Sequence, residues 1–253
     1  ALLENTGYEK VSLDGQTVAL PAGMELDLGA VGKGYAADET AQVLVSYGVE
    51  SALLALGGNV LALGSRPDGT PWWIGVRDPD TDGTLGVLEV TNQSVVVSGG
   101  YERYFVGEDG QWYWHILDPE TGAPARSGQT QVAIVSQESK LCDALSTAVF
   151  VMGLEAATDL WRARQNFEMV LLADDGTVYL TEGLAERFTL NAGQEEREVQ
   201  ILAAADPAGG THAIDPAGGY AVETEEVSAE NQGDRIYGLL YRPAGIEGPR
   251  PTV

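Results

Sequence analysis

The order of segments constrains this chain more than any single motif does. Short β-patterned runs dominate, and the few helical patterns among them do not fall at the regular βαβ spacing of a doubly wound sheet. Helical periodicity is expected from Gly34 to about Tyr47, with Gly48 as its C-terminal cap. It returns over Lys140 to Val151 and Leu154 to about Gln165, with Met152-Gly153 between the two. Strands are expected at Ser51 to Leu63 with a break at Gly57-Gly58-Asn59, and at Trp72 to Arg77, Leu85 to Val90, Ser94 to Ser98 and Trp112 to Leu117. Two more follow the helices, at Met169 to Ala173 and Val178 to Thr181. Lys10 to Leu28 reads as small strands joined by turns at Asp14-Gly15 and Pro21-Ala22-Gly23. The mixture predicts an α+β fold of β-rich sheets with flanking helices.

The 253 residues, 44% of them hydrophobic, suffice for one large domain or a domain plus part of another. Character changes after Phe188. Asp206-Pro207-Ala208-Gly209-Gly210 recurs as Asp215-Pro216-Ala217-Gly218-Gly219, a duplicated pentapeptide that reads as a Pro/Gly linker. The expected organisation is a domain over 1–190, a linker over 191–222 and a further segment over 223–253, with strands at Glu223 to Ser228 and Arg235 to Tyr241.

Charge narrows the partners. Asp and Glu number 38 against 14 Lys and Arg, a net charge of −24, which leaves no broad basic surface for nucleic acid. An anionic ligand therefore needs a local device, a metal ion or backbone amides. Cys142 is the single cysteine, so neither an internal disulfide nor a thiolate cluster can form. No run of about 18 apolar residues is present. The sequence opens on Ala1 rather than Met, and a natural N-terminus carrying further segments is expected upstream.

Three features could carry chemistry. The turn Gly29-Ala30-Val31-Gly32-Lys33-Gly34 fits neither a phosphate-binding Walker loop nor a GxGxxG fingerprint. It can be a plain strand-to-helix connection, but it places Lys33, one of three lysines, at a helix start that already favours anions. Asp143 and Thr147 stand at i and i+4 in a helical pattern, so both emerge from one face as oxygen ligands suited to Mg²⁺. Spacing alone equally allows Asp143 as a helix cap and Thr147 as a core residue. His115 is one of two histidines, the other being His212 in the linker, and is either a base or a structural residue beside a strand. The aromatics Trp72, Trp73, Trp112, Tyr113 and Trp114 read as core or strand residues.

Six blocks in order resemble the ApbE family of FAD:protein FMN transferases. They are Leu26 to Asp38, Leu56 to Val60, Pro71 to Pro79, Ser98 to Phe105, His115 to Pro124 and Asp143 to Ala148. The resemblance covers about residues 1–190 and begins inside the family's domain, so it implies a preceding part with further flavin and adenine contacts. It implies transfer of FMN from FAD onto a Ser or Thr hydroxyl of a partner protein, with release of AMP. By the resemblance, Asp143, Thr147 and the Ala30 carbonyl would hold Mg²⁺. Asp27, Lys33 and Ile116 would contact FAD, and His115 would help activate the acceptor hydroxyl. It also implies work outside the cytoplasmic membrane, often as a membrane-anchored lipoprotein. Gly100 stands where the family often has Asp, and Cys142 where a small residue is usual.

Other functions remain as alternatives: hydrolysis of FAD to FMN and AMP at the same site, or a non-catalytic flavin-binding module. The tail, Val227 to Pro243 with Pro251-Thr252-Val253, is similar to the opening hairpin of α/β-hydrolases and ends before any nucleophile elbow. A fusion to an esterase-like hydrolase is one reading of it, and an accessory hairpin or extension is the other.

Overall fold

The computed structural model describes residues 3–81 and 83–204 in full, and 222–231 and 234–243 by backbone alone. The chain divides into two compact units. One comprises Ala1–Asp27, Pro119–Gly122 and Thr211–Val253, and the other Leu28–Asp118 and Ala123–Gly210. In the first unit, 3₁₀ turns at Leu3–Asn5 and Tyr8–Lys10 are held by Lys10 Nζ, which donates to the carbonyls of Glu4 and Thr6 at 2.7 and 2.6 Å. A hairpin follows, β1 (Ser12–Asp14) against β2 (Thr17–Ala19), turning at Gly15 with φ 57° as the Asp14-Gly15 signal predicts.

The larger unit begins with α1 (Gly32–Ser46), then β3 (Ala52–Leu56), β4 (Asn59–Leu63), β5 (Trp72–Arg77), β6 (Thr84–Val90) and β7 (Gln93–Gly99). It continues through β8 (Tyr104–Val106), β9 (Trp112–Trp114), β10 (Gln129–Ser136) and α2 (Ser139–Arg164). The last strands are β11 (Glu168–Ala173), β12 (Val178–Thr181), β13 (Phe188–Leu190) and β14 (Val199–Leu202). Seven strands form one sheet in the order β14-β12-β11-β10-β7-β4-β3, antiparallel except for the β12–β14 pair. Smaller sheets are β13-β6-β5 and β8-β9. This is the expected α+β class.

The central strands of the large sheet are buried on both faces, and the strand period of two sorts their side chains between them. Val95, Ala133, Val135, Val170 and Leu172 join Ile74, Val76, Leu85 and Leu88 of the three-stranded sheet in one cluster. Val96, Val132, Ile134, Met169 and Leu171 join Cys142, Val149, Phe150, Ala157 and Trp161 of α2 in the other. Sheet, sheet and helix thus make three layers around two cores. By length and composition alone α2 is apolar enough to cross a membrane, yet ten of its residues are buried in this unit.

The expected pair of helices is one element interrupted at Gly153, whose φ 83° and ψ 172° suit glycine alone. The interruption takes the helical partners from the carbonyls of Val149 and Phe150. Gln129 Nε2 donates to both, at 2.6 and 3.2 Å, and the Ser127 hydroxyl donates to Phe150 as well. The Ser51 to Leu63 run is a hairpin of two strands, with Gly57 and Gly58 at φ 54° and 90° as a tight type I′ turn requires.

Three expectations are corrected. The strand expected from Trp112 to Leu117 ends at Trp114, and Leu117 is joined only by an isolated bridge to Pro124. The central strand β10 and the short β8 were not expected at all. The domain end expected at 190 falls short, because β14 adds its backbone to β12 as the seventh strand and carries the sheet to Leu202. The rest of the expected linker, 205–221 with its repeated pentapeptide and His212, lies outside the described residues, as do 244–253. The two strands expected near the C-terminus form an antiparallel hairpin, β15 (Val222–Asn231) with β16 (Asp234–Pro243).

Candidate functional site

The site is built where the N-terminal turns of α1 and α2 meet. Gly34, Ala37 and Asp38, at i, i+3 and i+4, share the face of α1 that meets α2. At Gly34 the approach leaves no room for a side chain, since a Cβ would lie 2.4 Å from the Ser139 carbonyl oxygen and 2.5 Å from Lys140 Cα. That closeness lets the Gly34 amide donate to Asp143 Oδ2 at 2.8 Å. In a regular helix the same amide would bond the carbonyl four residues back, which is that of Ala30. The Ala30 carbonyl is consequently left without a backbone partner among the described residues. Lys33 Nζ lies 3.2 Å from Asp143 Oδ1, with the lysine side chain 43% exposed and the aspartate 4%. Asp38 accepts from the amides of Ser139 and Lys140 at 2.8 and 3.0 Å, capping α2 from the neighbouring helix.

Asp143 is therefore not the cap of its helix. Thr147 follows one turn later on α2, half-buried. A carboxylate, a hydroxyl and an unbonded carbonyl are all hard-oxygen donors, and a carboxylate that accepts two hydrogen bonds keeps further lone pairs. No group of three or more His, Cys, Asp or Glu side chains is gathered among the described residues. The donors thus fit a hard divalent ion that retains several waters, and they do not fit a thiolate- or imidazole-bound metal.

Around this junction the β3–β4 turn and the loop after β7 supply a rim. A Cβ at Gly57 would lie 3.9 Å from Lys33 Cδ, and one at Gly58 would lie 3.8 Å from Glu102 Oε1. Ser139 Oγ donates to Asn59 Oδ1 at 2.8 Å, tying the turn to the start of α2. Ser146 Oγ donates to the Asp143 carbonyl at 2.9 Å and lies 2.8 Å from Ser98 Oγ, so β7 also fixes this part of the helix. Cys142 is fully buried and its thiol is pushed far above its ordinary range by burial, which makes it inert packing.

Tyr101 OH donates to Gln131 Oε1 at 2.7 Å. Burial, with the nearby Glu102 charge, pushes its phenol up to about 12, against the opposing pull of Arg77. The folded state thus holds a proton that the unfolded chain releases near 10, so stability is intact below that pH and falls between about pH 10 and about pH 12. Denaturant melts across this range should show the fall, and Tyr101→Phe should flatten it.

His115 follows β9 with its side chain exposed and its amide donating to the Arg103 carbonyl at 3.2 Å. Ile116 is 5% exposed, packed in the same cluster as Cys142 and Phe150, and its carbonyl accepts from Ala125 at 3.0 Å. Its side chain is committed to the core. Asp27 is exposed and belongs to the other compact unit. The structure therefore brings Lys33 onto Asp143, sets Ala30 and Thr147 in the adjoining turns, and places His115 and Ile116 on the segment after β9. Of the aromatics, Trp73 is a strand residue facing solvent at 61% exposure, while Trp112 stacks on Tyr104 at 4.2 Å. Sequence reasoning missed Gly34 and Asp38, although their spacing of four on one helical face was a usable signal.

The model of the ApbE family matches residues 1–171. The chain is 40% identical over 176 residues to the FAD:protein FMN transferase of Treponema pallidum, covering 66% of this chain and 48% of that protein. Against the FAD:protein FMN transferase of Klebsiella pneumoniae the identity is 37% over 194 residues, covering 75% and 59%. The crystal structure of the ApbE protein from Thermotoga maritima superposes with a TM-score of 0.66 at 36% identity, covering 72% of this chain and 60% of that one. The flavin transferase ApbE from Vibrio cholerae gives 0.64 at 28%, covering 73% and 60%. The chain spans about half the length of the curated relatives it matches.

Proposed function

The chain belongs to the ApbE family, and we propose that it carries the metal-binding part of a Mg²⁺-dependent transferase that moves FMN from FAD to a Ser or Thr hydroxyl of a partner protein. The observation that carries this reading is the convergence of Lys33 Nζ and the Gly34 amide on the nearly buried Asp143 carboxylate, at 3.2 and 2.8 Å. The names of the relatives, FAD:protein FMN transferase, support the same reaction.

In this reading Asp143, Thr147 and the Ala30 carbonyl hold the ion. When bound, Mg²⁺ supplies neutralisation of the diphosphate charge that a protein of net charge −24 would otherwise repel. Lys33 contributes a second positive group to the same oxygens, and its exposed stem lets it swing from Asp143 to the ligand. Asp27 contacts FAD, and Ile116 does so through its backbone, since its side chain packs in the core. The acceptor oxygen bonds to the phosphorus on the FMN side, and the anhydride oxygen departs with AMP. His115 takes the hydroxyl proton, a task its exposed imidazole suits because the fold engages this residue through its backbone amide. The family likeness also supports an extracytoplasmic, membrane-anchored setting, which cell fractionation tests.

The protein expressed from its complete open reading frame is incubated with FAD, Mg²⁺ and a panel of candidate acceptors. A fluorescent flavin band that survives denaturing electrophoresis, with stoichiometric AMP and loss of both on chelation, is the expected result. Absence of a band with every acceptor would remove the transferase reading. Full-rate AMP release without any acceptor would replace it with FAD hydrolysis.

A further inference from the structure

We propose that Asp38 is a positioning residue for the ion site, acting through the amide groups of Ser139 and Lys140 rather than by touching ion or flavin. The inference rests on the reading above only for the identity of what binds. Its mechanical part follows from the helix geometry alone.

Glu138, at the start of α2, makes no side-chain cap, so the first amides of this helix have no local acceptor. Asp38 supplies it from α1, one oxygen to Ser139 N at 2.8 Å and the other to Lys140 N at 3.0 Å. A carboxylate spanning two successive helical amides fixes orientation as well as distance, and the helix dipole favours its charge there. One turn earlier on the same face of α1 stands Gly34, against the backbone of the same two residues. Asp143 follows one turn later on α2. The Asp38 clamp therefore sets the separation of the two helices at which the Gly34 amide reaches Asp143 Oδ2. By claiming that amide, Asp143 leaves the Ala30 carbonyl unbonded. Loosening the clamp would let the two helices part, freeing the Gly34 amide from Asp143 Oδ2 and shifting the carboxylate away from the Ala30 turn, so that the oxygens no longer present themselves to one ion.

Asp38→Ala removes both hydrogen bonds, whereas Asp38→Asn keeps one acceptor oxygen. Amide hydrogen exchange of Gly34, measured on the protein without metal or flavin, should accelerate about tenfold or more in Asp38→Ala and less in Asp38→Asn. Binding of Mn²⁺, followed by its paramagnetic signal, should weaken in the same order. In flavin transfer, Asp38→Ala should need about tenfold more Mg²⁺ for half-maximal rate, with much of the rate restored at saturation. A purely structural residue would lower thermal stability without moving the metal midpoint. The proposal is overturned if folded Asp38→Ala keeps Gly34 protected, or if its Mn²⁺ affinity matches the parent. Should the parent show no flavin transfer, the function reading fails, while the exchange and Mn²⁺ arms still decide the role of Asp38.

Discussion

Replacing Asp143 with Asn is expected to lower flavin transfer by on the order of a thousandfold while leaving the fold intact. The asparagine oxygen can still accept from Gly34, so the bond at 2.8 Å between the helices has a substitute acceptor. Lys33 loses its partner, but with 43% of its side chain exposed it can turn to solvent at little cost. What disappears is the single negative charge of the proposed ion site. Circular dichroism and thermal melting should therefore resemble the parent, and Mn²⁺ binding should be lost with turnover. Near-parental turnover in the variant would sink the assignment of the metal.

Gly34→Ala is expected to damage both fold and activity through one methyl group. Its Cβ would lie 2.4, 2.5 and 2.7 Å from backbone atoms of Ser139 and Lys140, none of which can rotate aside. Relief requires the helices to part, at a cost of about 1–3 kcal/mol, and a displacement near 1 Å at a reacting centre can cost about a hundredfold in rate. Gly32→Ala is the control. It stands two residues earlier in the same helix with nothing within 4 Å of its Cβ, so stability and transfer should both be retained. Equal behaviour of the two variants in denaturant melts and transfer assays would contradict the close approach.

The legible parts of the sequence were those whose local pattern matches their environment. Gly48, Gly57-Gly58 and Gly153 marked a helix end, a hairpin and a helix break because each stands at positive φ, where side chains are disfavoured. The strand β10 was missed although Gly128, at φ 84°, stands directly before it. Its Val132-Ala133-Ile134-Val135 run is buried on both faces, so it shows none of the alternation that identifies a half-exposed strand. The β14 addition was hidden for another reason: pairing across a sheet edge is a long-range contact, and residues 199–202 are short and largely exposed. At the site, the i, i+4 spacing put Asp143 and Thr147 on one helix, but it could not choose between cap and ligand. The cap reading falls because Asp38 already holds the Ser139 and Lys140 amides, while Asp143 meets the Gly34 amide, 109 residues away. The side chain of Ile116, implied as a flavin contact, is core-facing, a distinction its sequence block cannot make.

The interruption at Gly153 bears on how sequences of this kind can diverge. Because Gln129 and Ser127 secure the carbonyls at the break, the stretch bearing Asp143 and Thr147 is anchored at its own far end. The stretch beyond, with Ala157 and Trp161, packs the core as a separate rod. Substitutions that tilt or re-space the second rod need not rotate the first. Drift in the packing of the second rod is thereby decoupled from the placement of the carboxylate on the first.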